Sequence, residues 1–379
     1  MKFSTFSRPL AAAFFIVVGT ALVSGCASGT NKPKPAELAS NPNFLGVRLA
    51  WTVKLGKVTF PLDVRATGQT LTVATSDGTV SSLDPLTGRE VWRVNIGSEI
   101  AAGVGGDGRY FSVITTNNEL VALDAGRELW RQSLPAQGFT PPLVAGGRIF
   151  VLTADRTVSA FELQSGRKLW VQRRPGESLV LRQSGVLTSA GETVVSGIAG
   201  RLIGLDPLNG SIRWESAIAT PRGTNDIERL VDLVGPHSRS GDVLCARAFQ
   251  ATVGCVDLGR GSLMWSKTSS GTVGLDGDEK LIFGVESDGQ LTASQRNDGE
   301  RVWSTQYLRY RNLTAPLLLG RSIVVGDESG LVHFMSRENG SLLTRVSTDG
   351  SGVAVKPVMA GGTLVVVTRA GGVFGFVPE

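Results

Sequence analysis

The chain has 379 residues with 48 Gly, 16 Pro and only 4 Met, a composition that suits many short strands and tight turns better than long helices. Its formal charge of +5 contains no block of five or more Lys and Arg, so a nucleic-acid-binding surface is not indicated. Two histidines and three cysteines leave little material for a metal centre.

At the N-terminus, Lys2 and Arg8 precede the apolar run from Leu10 to Val23, the layout of a secretory signal over residues 1–25. That run is short for a membrane span. It ends in Val23-Ser24-Gly25-Cys26, which resembles the lipobox of bacterial lipoproteins. The resemblance implies that Cys26 becomes the acylated first residue of the mature chain. Ala27 follows the cysteine where an Asp would retain the protein at the inner membrane, which resembles lipoproteins sent to the outer membrane. Residues 26–43, with Lys32-Pro33-Lys34-Pro35 and few large apolar side chains, read as a flexible tether spanning roughly 20–25 Å. Loss of Lys2 and Arg8 with the signal lowers the charge from +5 to +3. Export would place Cys245 and Cys255 in an oxidising compartment.

From residue 44 onward a repeat decides the architecture. Trp51, Trp92, Trp130, Trp170, Trp214, Trp265 and Trp303 fall in one register, 38 to 51 residues apart, and most follow a Gly four positions earlier. An eighth slot after Asn339-Gly340 carries Thr344. Upstream of these slots come two alternating apolar runs joined by a turn, as in Leu71–Thr75, Ser76-Asp77-Gly78 and Thr79–Asp84. A unit of about 40 residues with four short strands cannot bury both faces of its sheet and must stack in a ring. The sequence therefore predicts one all-β domain over 44–379, an eight-bladed β-propeller of four-stranded antiparallel blades. Val47 to Leu55 holds a fourth strand with nothing before it, and Val353 to Val377 holds three strands with no fourth after them. Pairing them closes the ring through the N-terminal strand and removes an open edge. The tryptophans are expected to wedge between blades.

The repeats with Gly, Arg and Trp resemble those of eight-bladed pyrroloquinoline-quinone dehydrogenases, which makes a periplasmic quinone-dependent dehydrogenase or sensor the alternative reading. Against it, the chain has no pair of adjacent cysteines and no long inter-blade excursions. His237 and His333 are far apart in sequence, and Gly105-Gly106-Asp107-Gly108 lacks the Lys and Ser/Thr of a phosphate loop. We therefore expect no catalytic residues, cofactor or metal. Cys245 and Cys255 flank the turn Phe249-Gln250-Ala251 at equal distance, so a cross-strand disulfide and two buried free thiols both fit.

The regular spacing breaks at 175–184 and at 217–241, and function on repeat scaffolds concentrates at such interruptions. The first segment contains Glu177-Ser178-Leu179-Val180-Leu181-Arg182; the second contains Ile227-Glu228-Arg229-Leu230-Val231-Asp232. Apolar anchors beside charges make a compact protein-binding patch. A lipobox, a tether, eight Trp-type slots, ring closure by the N-terminal strand and these two segments together resemble the BamB family, the lipoprotein component of the outer-membrane β-barrel assembly (BAM) machinery. The resemblance covers nearly the whole chain. It implies a scaffold at the periplasmic side of the outer membrane that docks on the POTRA domains of BamA and assists insertion of nascent β-barrel proteins. It assigns the docking surface to Leu179, Leu181, Arg182 and Asp232, with Asp232 expected to pair with Arg182 or with a cation of the partner. Where the family has a second acid, two positions after Asp232, this chain has Val234.

Overall fold

A computed structural model describes residues 33–60, 62–175, 179–222, 224–226 and 229–379. Cys26 and the signal, Glu177, Ser178, Ile227 and Glu228 lie outside the described residues. The described chain forms eight four-stranded antiparallel sheets, and no helix occurs among those residues. Seven sheets are sequential meanders. The first comprises Arg65–Thr67, Thr70–Ala74, Thr79–Leu83 and Glu90–Asn95, and we number it blade one. Inner strands of neighbouring blades touch at the junctions one–two, two–three, three–four, five–six and six–seven, and blade eight's inner strand touches that of blade one.

Blade eight closes as the sequence predicts. Its outer strand is Val47–Lys54, paired antiparallel with Gly372–Pro378 from Val47↔Pro378 to Lys54↔Gly372. Glu379 then donates its amide to Gly46 O at 3.0 Å, so the entry of the N-terminal strand and the C-terminus are tied to one sheet.

The core lies between blades, because each sheet has apolar residues on both faces of its two central strands. Phe283 and Ala293 of blade six pack with Ile323, Val325 and Met335 of blade seven, all buried. Each tryptophan projects from an outer strand onto the glycine of the next blade's third-to-fourth-strand turn. A Cβ on Gly88 would stand 2.6 Å from Trp51 Cε3, and Gly88 has φ +70, so only glycine satisfies both the contact and the turn. Five of the indoles also donate Nε1–H to a carbonyl of that next blade, as Trp51 does to Pro85 O at 2.9 Å and Trp303 to Arg337 O at 2.9 Å.

The exception is explained by the closure. Blade eight receives its outer strand from the N-terminus, so it has no third-to-fourth-strand turn and no glycine platform. The buried Thr344 occupies the tryptophan slot of blade seven and donates its hydroxyl to Asn43 Oδ1 at 3.4 Å, at the seam where the N-terminal segment enters.

That segment departs from the sequence reading of one tether through residue 43. Residues 39–44 lie along the outer strand of blade seven, Leu342–Ser347, with hydrogen bonds from Asn41 and Phe44 to Arg345 and Leu343, and Ala36 donates to Arg309 O on the connector between blades six and seven. Composition suggested a coil, but these contacts use backbone groups and polar side chains at a sheet edge and a connector, which hydropathy does not register.

Candidate functional site

Connectors from an outer strand to the next inner strand all leave the same end of the blades and so share one face of the ring. Two of them carry the long segments. One runs from Lys168–Arg173 in blade three to Leu187–Ala190 in blade four, and the other from Ile212–Ala217 to Leu233–Ser240, the inner strand of blade five. Part of the second segment is therefore strand, with its pairing to Val243–Ala248 interrupted between Val234 and Ser238.

The first connector crosses the mouth of the central channel and is fastened at successive residues. Leu181 N donates to Asp232 Oδ2 at 2.9 Å. Gln183 Nε2 donates to Thr272 O at 2.9 Å, on the connector between blades five and six. Ser184 Oγ donates to Asp63 Oδ2 at 2.6 Å, on the approach to blade one, and Gly185 N donates to Thr140 Oγ1 at 2.9 Å. Polar contacts to four separate chain regions hold this backbone in one path. Leu179 is 39% exposed at the start of the path, while Leu181 is half-buried. Leu181 lines a cavity of about 60 Å³ together with Phe139, Leu152, Arg156, Asp232 and Val234.

Of the two pairings expected for Asp232, the one with Arg182 does not form. The Arg182 guanidinium lies over the Phe60 ring, 4.9 Å from its centroid, and Phe60 in turn contacts Phe139 with centroids 6.3 Å apart. Asp232 instead receives the Leu181 amide. Burial pushes its carboxyl above the usual Asp range, opposed by the Leu181 hydrogen bond and the charge of Arg156. Val234, 1% exposed, lines the same cavity, so a carboxylate there would be surrounded largely by apolar side chains. The patch is thus a surface leucine and a stacked arginine on a braced segment. The sequence could not supply Phe60, Asp63, Phe139 or Thr272 as supports, because they come from other blade connectors, Asp63 being 121 residues from Ser184.

Below this mouth a channel cavity of about 460 Å³ is lined by Asp63, Arg65, Thr188, His237 and Lys356, among others. Burial raises the Asp63 carboxyl, with Ser184 and Lys356 opposing the shift. Lys356 Nζ is paired with Asp276 Oδ2 at 2.9 Å. The His237 imidazole is pulled down to about 4 by burial and by Lys356 and Arg239, so it is neutral at pH 7. His333 is elsewhere, buried in blade seven with Nε2 3.0 Å from Asp327 Oδ2. Among the described residues no group of three or more His, Cys, Asp or Glu could hold a metal ion. Cys245 and Cys255 are directly paired residues of adjacent strands, with Cα atoms 4.0 Å apart, and a disulfide joins them.

Comparisons with known proteins agree with this architecture. The family described as outer membrane protein assembly factor BamB matches residues 76–305. The outer membrane protein assembly factor BamB of Burkholderia pseudomallei is 35% identical over 99% of this chain and 98% of its own length. That of Bordetella pertussis is 34% identical over 94% of each chain. The crystal structure of BamB from Moraxella catarrhalis superposes with a TM-score of 0.80 at 25% identity, covering 87% of this chain and 99% of that one. Quinohemoprotein alcohol dehydrogenase from Comamonas testosteroni shares the propeller fold, with a TM-score of 0.66 at 15% identity. Extended similarity to named assembly factors over almost every residue, on a propeller that superposes on a BamB crystal structure, establishes that this chain belongs to the BamB family of outer-membrane protein assembly factors.

Proposed function

We propose that the protein is a non-enzymatic scaffold of the BAM complex, held at the periplasmic face of the outer membrane by an acylated Cys26. Its connector face docks on the POTRA domains of BamA and so supports folding and insertion of β-barrel proteins. The observation that carries this reading is the bracing of residues 181–185 by Asp232, Thr272, Asp63 and Thr140, which presents Leu179 and Arg182 in a fixed geometry. A preorganised segment loses little conformational freedom on binding, so more of its contact energy appears as affinity.

The roles divide by exposure. Leu179 still has apolar surface to bury, worth about 1 kcal/mol at 25 cal/mol per Å² for its uncovered part. Arg182 keeps several donors free above the Phe60 ring, and a planar guanidinium is favoured at such hot spots. Leu181 spends most of its side chain on the cavity beneath and acts mainly to hold the segment down.

Titration of purified POTRA domains against the parent protein and against Leu179→Ala with Arg182→Ala tests the reading. The double variant should bind at least tenfold more weakly while its melting curve stays unchanged. Wild-type affinity in a folded double variant would move the contact to another connector.

A further inference from the structure

A segment that only has to reach a membrane needs no seat on the body. Residues 36–46 nevertheless have one. The Ala36 amide donates to Arg309 O at 2.9 Å, and the Arg311 guanidinium donates to Ala36 O at 3.0 Å. Arg345 donates to Ala39 O at 3.3 Å, Asn41 Nδ2 donates to Arg345 O at 2.9 Å, and the Phe44 amide donates to Leu343 O at 2.8 Å. Leu38 packs against the core between blades six and seven, and Leu45 against that between seven and eight. Arg311 is itself fixed, its Nε 2.8 Å from the buried Asp327, which also holds His333. The contacts run antiparallel to the outer strand of blade seven, from 41 against 345 to 44 against 343. They cover an edge that would otherwise stay open at the seam.

We propose that residues 36–46 are a strap that sets where the membrane-anchored end leaves the ring. The exit is beside the connector between blades six and seven, which holds Arg309 and Arg311. It lies on the same face as the segment around Leu179, but three blades further round the ring. Only ten residues, 26–35, separate an acylated Cys26 from the strap. A ring held this way hangs from the bilayer by its blade six–seven rim, which leaves the Leu179 side of the connector face open to a partner. This inference rests on acylation of Cys26 and on the docking role of that face.

The acylated protein, bound to phosphatidylethanolamine and phosphatidylglycerol vesicles that carry nitroxide-labelled lipids, tests it. A fluorophore is placed at Tyr307→Cys, on the connector beside the exit, or at Val171→Cys, on the outer strand of blade three; both positions are exposed. Quenching should be at least threefold stronger at 307 than at 171, and replacing 36–44 by a Gly-Ser segment of equal length should bring the ratio near one. Equal quenching in the parent protein, or a ratio unmoved by the replacement, would overturn the strap. A Cys26→Ser protein should not bind the vesicles; if it does, the acylation reading fails and the strap is judged on hydrogen exchange alone. In that soluble protein the Ala36 and Phe44 amides should exchange at least tenfold more slowly than in a free peptide, and peptide-like exchange would refute the strap even if the Gly-Ser chain does not fold.

Discussion

Asp232 separates two accounts of the docking segment. As a partner contact it would act through its charge; as a brace it acts through one lone pair that takes the Leu181 amide at 2.9 Å. Asp232→Ala removes the acceptor and leaves a part-buried N–H unpaired, which costs roughly 1–3 kcal/mol. Some of that is returned, because burial disfavours the ionised carboxylate and raises its pKa. A net cost near 1–1.5 kcal/mol raises local opening of the segment about 5–10-fold. Asp232→Asn keeps a carbonyl oxygen in place without the charge, so the brace should survive. Calorimetry with POTRA domains should therefore give a loss of up to 5–10-fold for Ala and a smaller one, under twofold, for Asn, with faster amide exchange at Leu181 in the Ala variant alone. Equal losses for the two variants, with Leu181 still protected, would show that the carboxylate works as a charge on the partner and that the bracing argument is wrong.

Two further outcomes follow from the fold. Trp51→Ala empties the inter-blade slot over Gly88 and should cost about 3–5 kcal/mol, lowering Tm by about 5–10 °C. Hydrogen exchange should show Gly372–Pro378 opening first, and a uniform loss of protection around the ring would count against a seam held by the N-terminal strand. His237 carries the pH dependence of the channel. Its folded pKa of about 4 lies below the unfolded value near 6.5, so the unfolded chain binds the proton more readily, and stability present above pH 6.5 is lost as pH falls toward 4. Denaturant midpoints at pH 7.5 and 5 should differ less in His237→Gln than in the parent, by an amount equivalent to ~1–2 kcal/mol. An identical difference would remove His237 from the acid response.

The architecture was legible because a propeller writes its contacts into a short period. Each tryptophan touches a glycine turn about 35–45 residues later, so sequence spacing and spatial contact carry the same information. The candidate segment was visible only as an interruption of that period. Its supports were not, since Phe60, Asp63, Thr140 and Thr272 converge on it from connectors whose meeting depends on closure of the whole ring. Asp232 does not meet Arg182, one of its two expected partners, for a related reason. Opposite charges on the two interrupted segments suggest a bond, but the Phe60 ring and the Leu181 amide are the partners that these groups meet. The seat of residues 36–46 was hidden by composition, because its bonds use backbone groups and the Arg311 and Arg345 side chains, with only Leu38 and Leu45 packed on the core.

The slot without a tryptophan completes the logic of closure. A tryptophan in an outer strand is useful only if the next blade offers a glycine turn, and seven blades offer one. The eighth cannot, because its third strand ends the chain and its fourth strand begins the folded body. At that seam an indole would have no platform, whereas the Thr344 hydroxyl meets Asn43 of the arriving segment. One polar substitution in an otherwise apolar register thus marks the place where the ring is closed non-covalently. If the proposed membrane anchor holds, a load carried by it would enter the fold at the same place, where Ala39, Asn41, Asn43 and Phe44 are bonded to the outer strand of blade seven before the chain reaches blade eight.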